Sequence, residues 1–251
     1  DIAINNMPLL GADNVEVHNI DAIEFLNQMP HVDLIMIDPA RRSSSGGKTV
    51  MIADCEPDII GIEELLVEKA EKVMVKLSPM LDINIALKEL KYISSIHVVG
   101  VNNECKELLL ILEKENNKKN IEVNCVNISN YIEKFSFTLE QESSINSVLA
   151  DSIGNYLYEP NAAVMKGGGY KSITKQFNVK KLSVNTHLYT SDELVEDFPG
   201  RKFNIESLSG FSGKEIKSLL KGVEKANLTI RNFPSTVNDL RKRLKLKDGG
   251  D

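Results

Sequence analysis

Asp38 closes an apolar run and is followed at once by Pro39, Ala40, Arg41 and Arg42, then by a serine–glycine tract that reaches Lys48. Proline fixes φ and carries no N–H, so the Asp-Pro step aims the preceding carboxylate in one direction. A carboxylate held that way can accept a hydrogen bond, or a proton, from an amine, a sugar hydroxyl or an adenine amino group. Arg41 and Arg42 suit a phosphate or a stacked base, and Lys48 adds charge across the tract. Two further strand ends are polar in the same way: Asn19-Ile20-Asp21-Ala22 follows one β-rich run, and Lys76-Leu77-Ser78-Pro79 closes another. Bland roles stand beside these, with Asp21 as a helix cap, Asp38 as a polar strand terminus and residues 41–48 as a surface loop.

The elements that would position these groups alternate in type. Residues 15–20, 33–38, 72–78, 95–102 and 106–114 read as strands. Helical patterns at 21–29, 62–70 and 83–93 separate the first four. Near-continuous apolar strands divided by helices predict a parallel sheet covered on both faces, whose strand ends carry the ligand groups. The final close pair of strands predicts an antiparallel edge strand. Beyond the turn-rich 114–120 the texture changes: strands at 121–128 and 134–142, partly helical stretches at 145–159 and 167–177, then strand character at 181–190. The last fifty residues read strand, helix, strand and helix. These patterns give three units, 1–118, 119–199 and 200–251. Both termini look cut inside a longer chain.

The 251 residues are long enough for a sizeable core, and 42% hydrophobic with 26% charged residues is an ordinary globular balance. No apolar run is long enough to span a membrane. Three cysteines without a CxxC pair, and no basic or apolar leader, point to a reducing compartment, the cytoplasm. The net charge of −6 is uneven, since from Arg201 onward there are 12 Lys/Arg against 6 Asp/Glu. A basic end on an acidic body suits a polyanion, although a solvated helix face gives the same count. Arg241 and Arg243 lie on the last predicted helix and are its candidate phosphate contacts.

Several features imitate sites. Gly46-Gly47-Lys48-Thr49 ends like a phosphate-binding loop, but the earlier glycine it requires falls at Arg42. Cys105 would need a lowered thiol pKa to act as a nucleophile, and its place beside a predicted hairpin reads instead as a buried structural cysteine, while the four histidines show no metal-ligand spacing. The glycines at 167–169 read as a turn, or as free N–H groups for a phosphate.

The run DPARRSSSGGKTVMIADCEPDI, with VKLSPMLDI and VVGVNNECKELLLIL, resembles class I S-adenosylmethionine-dependent methyltransferases. It resembles in particular the bacterial methyltransferase-like proteins that carry a C-terminal THUMP-like domain. Asp38-Pro39 stands where that superfamily has its Asp-Pro-Pro motif, with Ala40-Arg41 in place of proline and an aromatic. YEPNAAVMKGGGY is similar to the family's ferredoxin-like region, and FPGRKFNIESL with ANLTIRNFP to its THUMP-like segment. The resemblance implies an α/β fold, a Rossmann-like methyltransferase sheet followed by smaller α+β ferredoxin-like and THUMP-like domains. It places the glycine-rich cofactor loop before Asp1. It implies methyl transfer from S-adenosylmethionine to RNA, with Asp38, Pro39 and Arg41 catalytic and Asp21, Ala22 and Asp38 at the cofactor. Arg41, Arg42, Lys48, Lys76, Arg241 and Arg243 would meet the nucleic acid, and no metal or membrane is implied. A non-catalytic RNA-binding scaffold is the main rival, and a methyltransferase for proteins or small molecules the third reading.

Overall fold

The computed structural model describes residues 2–41, 52–115 and 120–249. Helices α1 (Ile2–Leu9) and α2 (Ala22–Gln28) precede strand β1 (Val32–Ile37). The short strands β2 (Ala40–Arg41) and β3 (Cys55–Glu56) then pair antiparallel. Helix α3 (Ile59–Lys69), strand β4 (Ala70–Leu77), helix α4 (Ile83–Glu89) and strands β5 (Ile93–Val101), β6 (Glu104–Leu112), β7 (Glu122–Ile128) and β8 (Ile132–Thr138) follow.

Helix starts follow local chemistry. The side chains of Asp21, Asp58 and Asp82 each accept backbone N–H bonds at the starts of α2, α3 and α4, satisfying donors that have no partner inside the helix. The buried Glu63 on α3 plays a longer-range part, accepting from the backbone N–H groups of Lys91 and Tyr92 and fixing the turn into β5.

These strands form one sheet in the order β1-β4-β6-β5-β7-β8. The β1–β4 and β5–β7 pairs are parallel, and the β4–β6, β5–β6 and β7–β8 pairs antiparallel. The sheet is therefore mixed where the sequence pattern predicts a parallel one. Strand β6 is antiparallel as expected, but it lies inside the sheet rather than at its edge. Asn102 and Asn103, both at positive φ, make a two-residue turn that can only reverse the chain. Strand β5 thereby becomes the outer member of the hairpin and takes β7 alongside. Residues 122–138, which the sequence pattern puts in the second unit, thus extend the first sheet.

The core lies on the central strands, where Val73, Val75, Ile96, Val98, Leu108, Leu110 and Val123 are fully buried. On β1, by contrast, Leu34 and Met36 are more than half exposed. Residues 15–20 form no strand. A β run needs a hydrogen-bonding neighbour to be a strand, and none among the described residues runs beside it.

The rest of the chain builds a second, antiparallel sheet. Helix α5 (Leu139–Ser144) leads to strand β9 (Tyr156–Pro160), helices α6 (Ala162–Gly167) and α7 (Ser172–Gln176), and strands β10 (Lys180–Ser183), β11 (Thr186–Ser191) and β12 (Gly200–Asn204). Its order is β10-β11-β9-β12, with Tyr158, Tyr189 and Phe198 buried against it. Helix α6 packs on β5, β6 and β7 and joins the two sheets. Helices α8 (Gly213–Leu219) and α9 (Val237–Leu244) end the chain. Residues 145–155 are not helical, and 227–232 do not form the expected strand.

Candidate functional site at the carboxyl rim

The parallel register sets Ile37 of β1 against Val75 of β4, so the residues that follow, Asp38 and Lys76, stand side by side. Asp38 Oδ2 lies 2.7 Å from Lys76 Nζ, and Glu107 Oε2 is 3.9 Å from the same ammonium. The hydrogen bond that Lys76 donates to Asp38, supported by the charge of Glu107, raises the Lys76 pKa above the usual lysine range despite some desolvation. Lys76 is therefore charged at neutral pH. Asp38 remains 59% exposed in its side chain, and a carboxylate offers about four lone-pair sites. The ammonium thus anchors the carboxylate without using up its capacity to accept.

A cleft of about 270 Å³ opens beside this pair, lined by Asp38, Pro39, Cys55, Ser78, Lys106 and Glu107 among others. The backbone of Arg41 pairs with Cys55, which closes the base of the loop that follows Asp38-Pro39. Arg42 and Lys48, with the serine–glycine tract, lie outside the described residues.

The structure brings Asp38, Pro39 and Lys76 together but sets Asp21 and Ala22 apart from them. Asp21 Oδ1 accepts from the N–H groups of Ile23 and Glu24 at 2.9 and 3.1 Å, the capping geometry, and Ala22 opens α2. Neither lines the Asp38 cleft. The two tail arginines are also engaged. Arg241 pairs with Asp248 at 2.7 Å and donates to the carbonyl of Ala226, and the guanidinium of Arg243 sits 4.6 Å from the Phe211 ring centre.

The N–H groups that hold an anion lie just past the glycine tract, at the start of α7, and the anion is the protein's own. Glu142 accepts from the backbone N–H groups of Lys171 and Ser172 and from the Ser172 hydroxyl, all between 2.7 and 3.2 Å. Burial raises the Cys105 thiol pKa, which disfavours the thiolate that a nucleophile requires. Among the described residues no group of three or more His, Cys, Asp or Glu is placed to hold a metal, and no helix is long and apolar enough to cross a membrane.

Sequence reasoning missed a second cleft, about 380 Å³, further along the same rim. Asn103, Asn127, Tyr131, Glu133, Arg201 and Phe203 are among its walls. They come from both sheets and from segments far apart in the chain. The exposed Tyr131 in a polar turn was the one local signal.

A nucleoside-bearing cofactor needs a seat of roughly 300–1,000 Å³ with several convergent donors and acceptors. The Asp38 cleft falls below that range, and only Asp38 of the three expected cofactor residues reaches it. These residues alone do not make a seat for the whole of S-adenosylmethionine.

The fold is thus a mixed α/β sheet with an Asp-Pro turn on its carboxyl rim, joined to a smaller antiparallel sheet. Residues 156–199 match the model of a ferredoxin-like domain, and residues 200–251 that of a THUMP domain-like family. The whole fold matches a crystal structure of a "putative methyltransferase" from Porphyromonas gingivalis W83. The two are 36% identical with a TM-score of 0.87, over 99% of this chain and 63% of that one. The chain thus spans less than two thirds of that protein's length. Comparison with the curated proteins found no match.

Proposed function

We propose that the protein is an S-adenosylmethionine-dependent methyltransferase whose acceptor is RNA, and that the Asp38 cleft is the acceptor side of its site. The observation that carries this reading is the placement of Asp38, held at a cleft edge by Lys76 and still exposed. The likeness to a methyltransferase and the THUMP-like match support it. S-adenosylmethionine supplies an activated methyl on a sulfonium, so the protein's task is mainly alignment and exclusion of water. Asp38 accepts the N–H of the target amine and orients its lone pair. Lys76 is a positioning residue that fixes the Asp38 rotamer, and Pro39 fixes the backbone from which the carboxylate projects. Arg41, Arg42 and Lys48 follow Asp38 in sequence and supply cations for the RNA backbone.

The test is transfer of labelled methyl from S-adenosylmethionine to cellular RNA. Asp38→Asn should lower kcat by about 100-fold or more, the usual scale for loss of a positioned proton acceptor, with little change in RNA affinity. Lys76→Met should fall between wild type and Asp38→Asn and shift the pH profile. Full activity in Asp38→Asn would refute the site. Absence of any transfer to RNA by the wild type would refute the enzymatic reading and leave an RNA-binding scaffold.

A further inference from the structure

We propose that the second cleft seats one unpaired base of a single-stranded RNA, so that the strand runs along the carboxyl rim from this seat toward Asp38. The inference rests on RNA being the acceptor and adds where, and in what form, it is held.

The topology places both clefts on one edge. Strands β1 and β4 are parallel, as are β5 and β7, and β6 is antiparallel to both β4 and β5. All four of the first-named strands therefore end on the same rim. Asp38 follows β1, and Asn102 and Ser129 follow β5 and β7. With neighbouring strands ~4.8 Å apart, three to four strand steps separate the clefts by about 15–20 Å. An extended strand of a few nucleotides can bridge that gap.

The chemistry of the second cleft fits a base. Tyr131 and Phe203 keep 61% and 41% of their surface exposed, an unusual position for large rings, and both line it. Arg201 lies 5.4 Å from the Phe203 ring centre, giving a cation beside a stacking face. The floor is a preorganised amide network. Asn127 and Asn161, almost fully buried, both donate to Glu133 Oε2, at 2.8 and 3.0 Å. Asn127 Oδ1 accepts from the Asn103 N–H, and Asn103 Oδ1 from the Ala162 N–H. Such a network holds the polar groups at the cleft in fixed directions. Charge favours a polyanion, because Arg201 and Lys202 outnumber Glu133 among the charged residues of the cleft wall. Aromatic faces, a guanidinium and fixed amides are the elements that read splayed bases of unpaired RNA, whereas a duplex keeps its bases stacked inside.

The chain has no tryptophan, so Tyr131→Trp introduces a single indole at the cleft mouth. Titration with a short single-stranded oligouridylate, without S-adenosylmethionine, should quench this indole with the same midpoint as binding followed by anisotropy. A blunt RNA duplex of equal charge should not quench it. Tyr131→Ala combined with Phe203→Ala should weaken single-strand binding by about 5- to 150-fold, the scale of one lost base–aromatic stack. The salt dependence should stay the same, since no phosphate contact is removed. Both rings are exposed, so an unchanged melting temperature serves as the folding control. Unchanged affinity in the double variant, or equal quenching by the duplex, would overturn the seat. Methyl transfer that depends on Asp38 but not on these rings would overturn the seat alone, and quenching without any methyl transfer would support the seat while removing the enzyme.

Discussion

Cys125 lies under α6 with almost no exposed surface, and burial, reinforced by Cys105, pushes its thiol up to about 12. At pH 8 only about one such thiol in ten thousand is ionised, against roughly a quarter for an unperturbed one, and the thiolate is the reactive form. Native protein treated with iodoacetamide at pH 8 should therefore keep Cys125 unmodified for hours and lose it quickly in denaturant, as read by peptide mass. Stoichiometric labelling of the native protein would contradict this environment. Lys76 and Asp38 show the same dependence on surroundings. Each was legible in the sequence as a polar group at a strand end, but their pairing was not. It depends on β1 and β4 being neighbours in a particular register, which no local pattern encodes. Asp21 illustrates the reverse case, where local chemistry was enough: an aspartate before an apolar-periodic run is a cap, and it is one.

Helices and most strands of the first sheet were readable because their period is a local property. Residues 15–20 and 227–232 were not, because their β-like composition is realised only beside a partner strand. The passage from α6 to α7 is a further instance. Its glycines suggest a turn or a phosphate loop, and the structure shows that packing requires them. A Cβ on Gly167 would stand 2.4 Å from Cys125 Sγ, and one on Gly169 would stand 2.5 Å from Phe135 Cε1 and 2.6 Å from Phe137 Cε1. The glycines let this segment lie directly on β7 and β8. Gly167→Ala should cost about 1–3 kcal/mol in urea unfolding, the usual range for an overpacked site. Adding Cys125→Ala should restore most of it, because the sulfur is the atom met. Lack of any recovery in the double variant would show that backbone strain, not this contact, sets the cost.

At the scale of the molecule, a few long-range polar contacts couple the parts that the family models match separately. Lys166 Nζ donates to the carbonyl of Leu81, a residue of the Asp38 cleft, at 2.6 Å, so the ferredoxin-like region buttresses the rim. Glu159 on β9, its side chain 8% exposed, takes both Arg201 and Arg231 from the THUMP-like segment. Asn232 adds hydrogen bonds to the Asn185 carbonyl and to Thr186 Oγ1. The Ile205 N–H donates to the Asn155 carbonyl, and Arg241 and Arg243 reach Ala226 and Phe211, but residues 205–235 are largely irregular and exposed. The sequence showed a basic C-terminal end but not that an acidic residue forty positions earlier neutralises part of it. Glu159→Gln removes the shared carboxylate and leaves two guanidiniums without their common partner. Both arginines are about half exposed, so solvent screens the loss to an estimated 1–3 kcal/mol rather than the larger cost of a fully buried pair. The loss should fall on local opening, with amides in α8 and nearby residues exchanging hydrogen about 5- to 150-fold faster. Amides of β4 and β6, deep in the first sheet, should keep their wild-type rates. Equal acceleration in both regions would mean that Glu159 supports the whole fold, and no acceleration in either would mean that the arginine cluster does not hold the C-terminal segment in place.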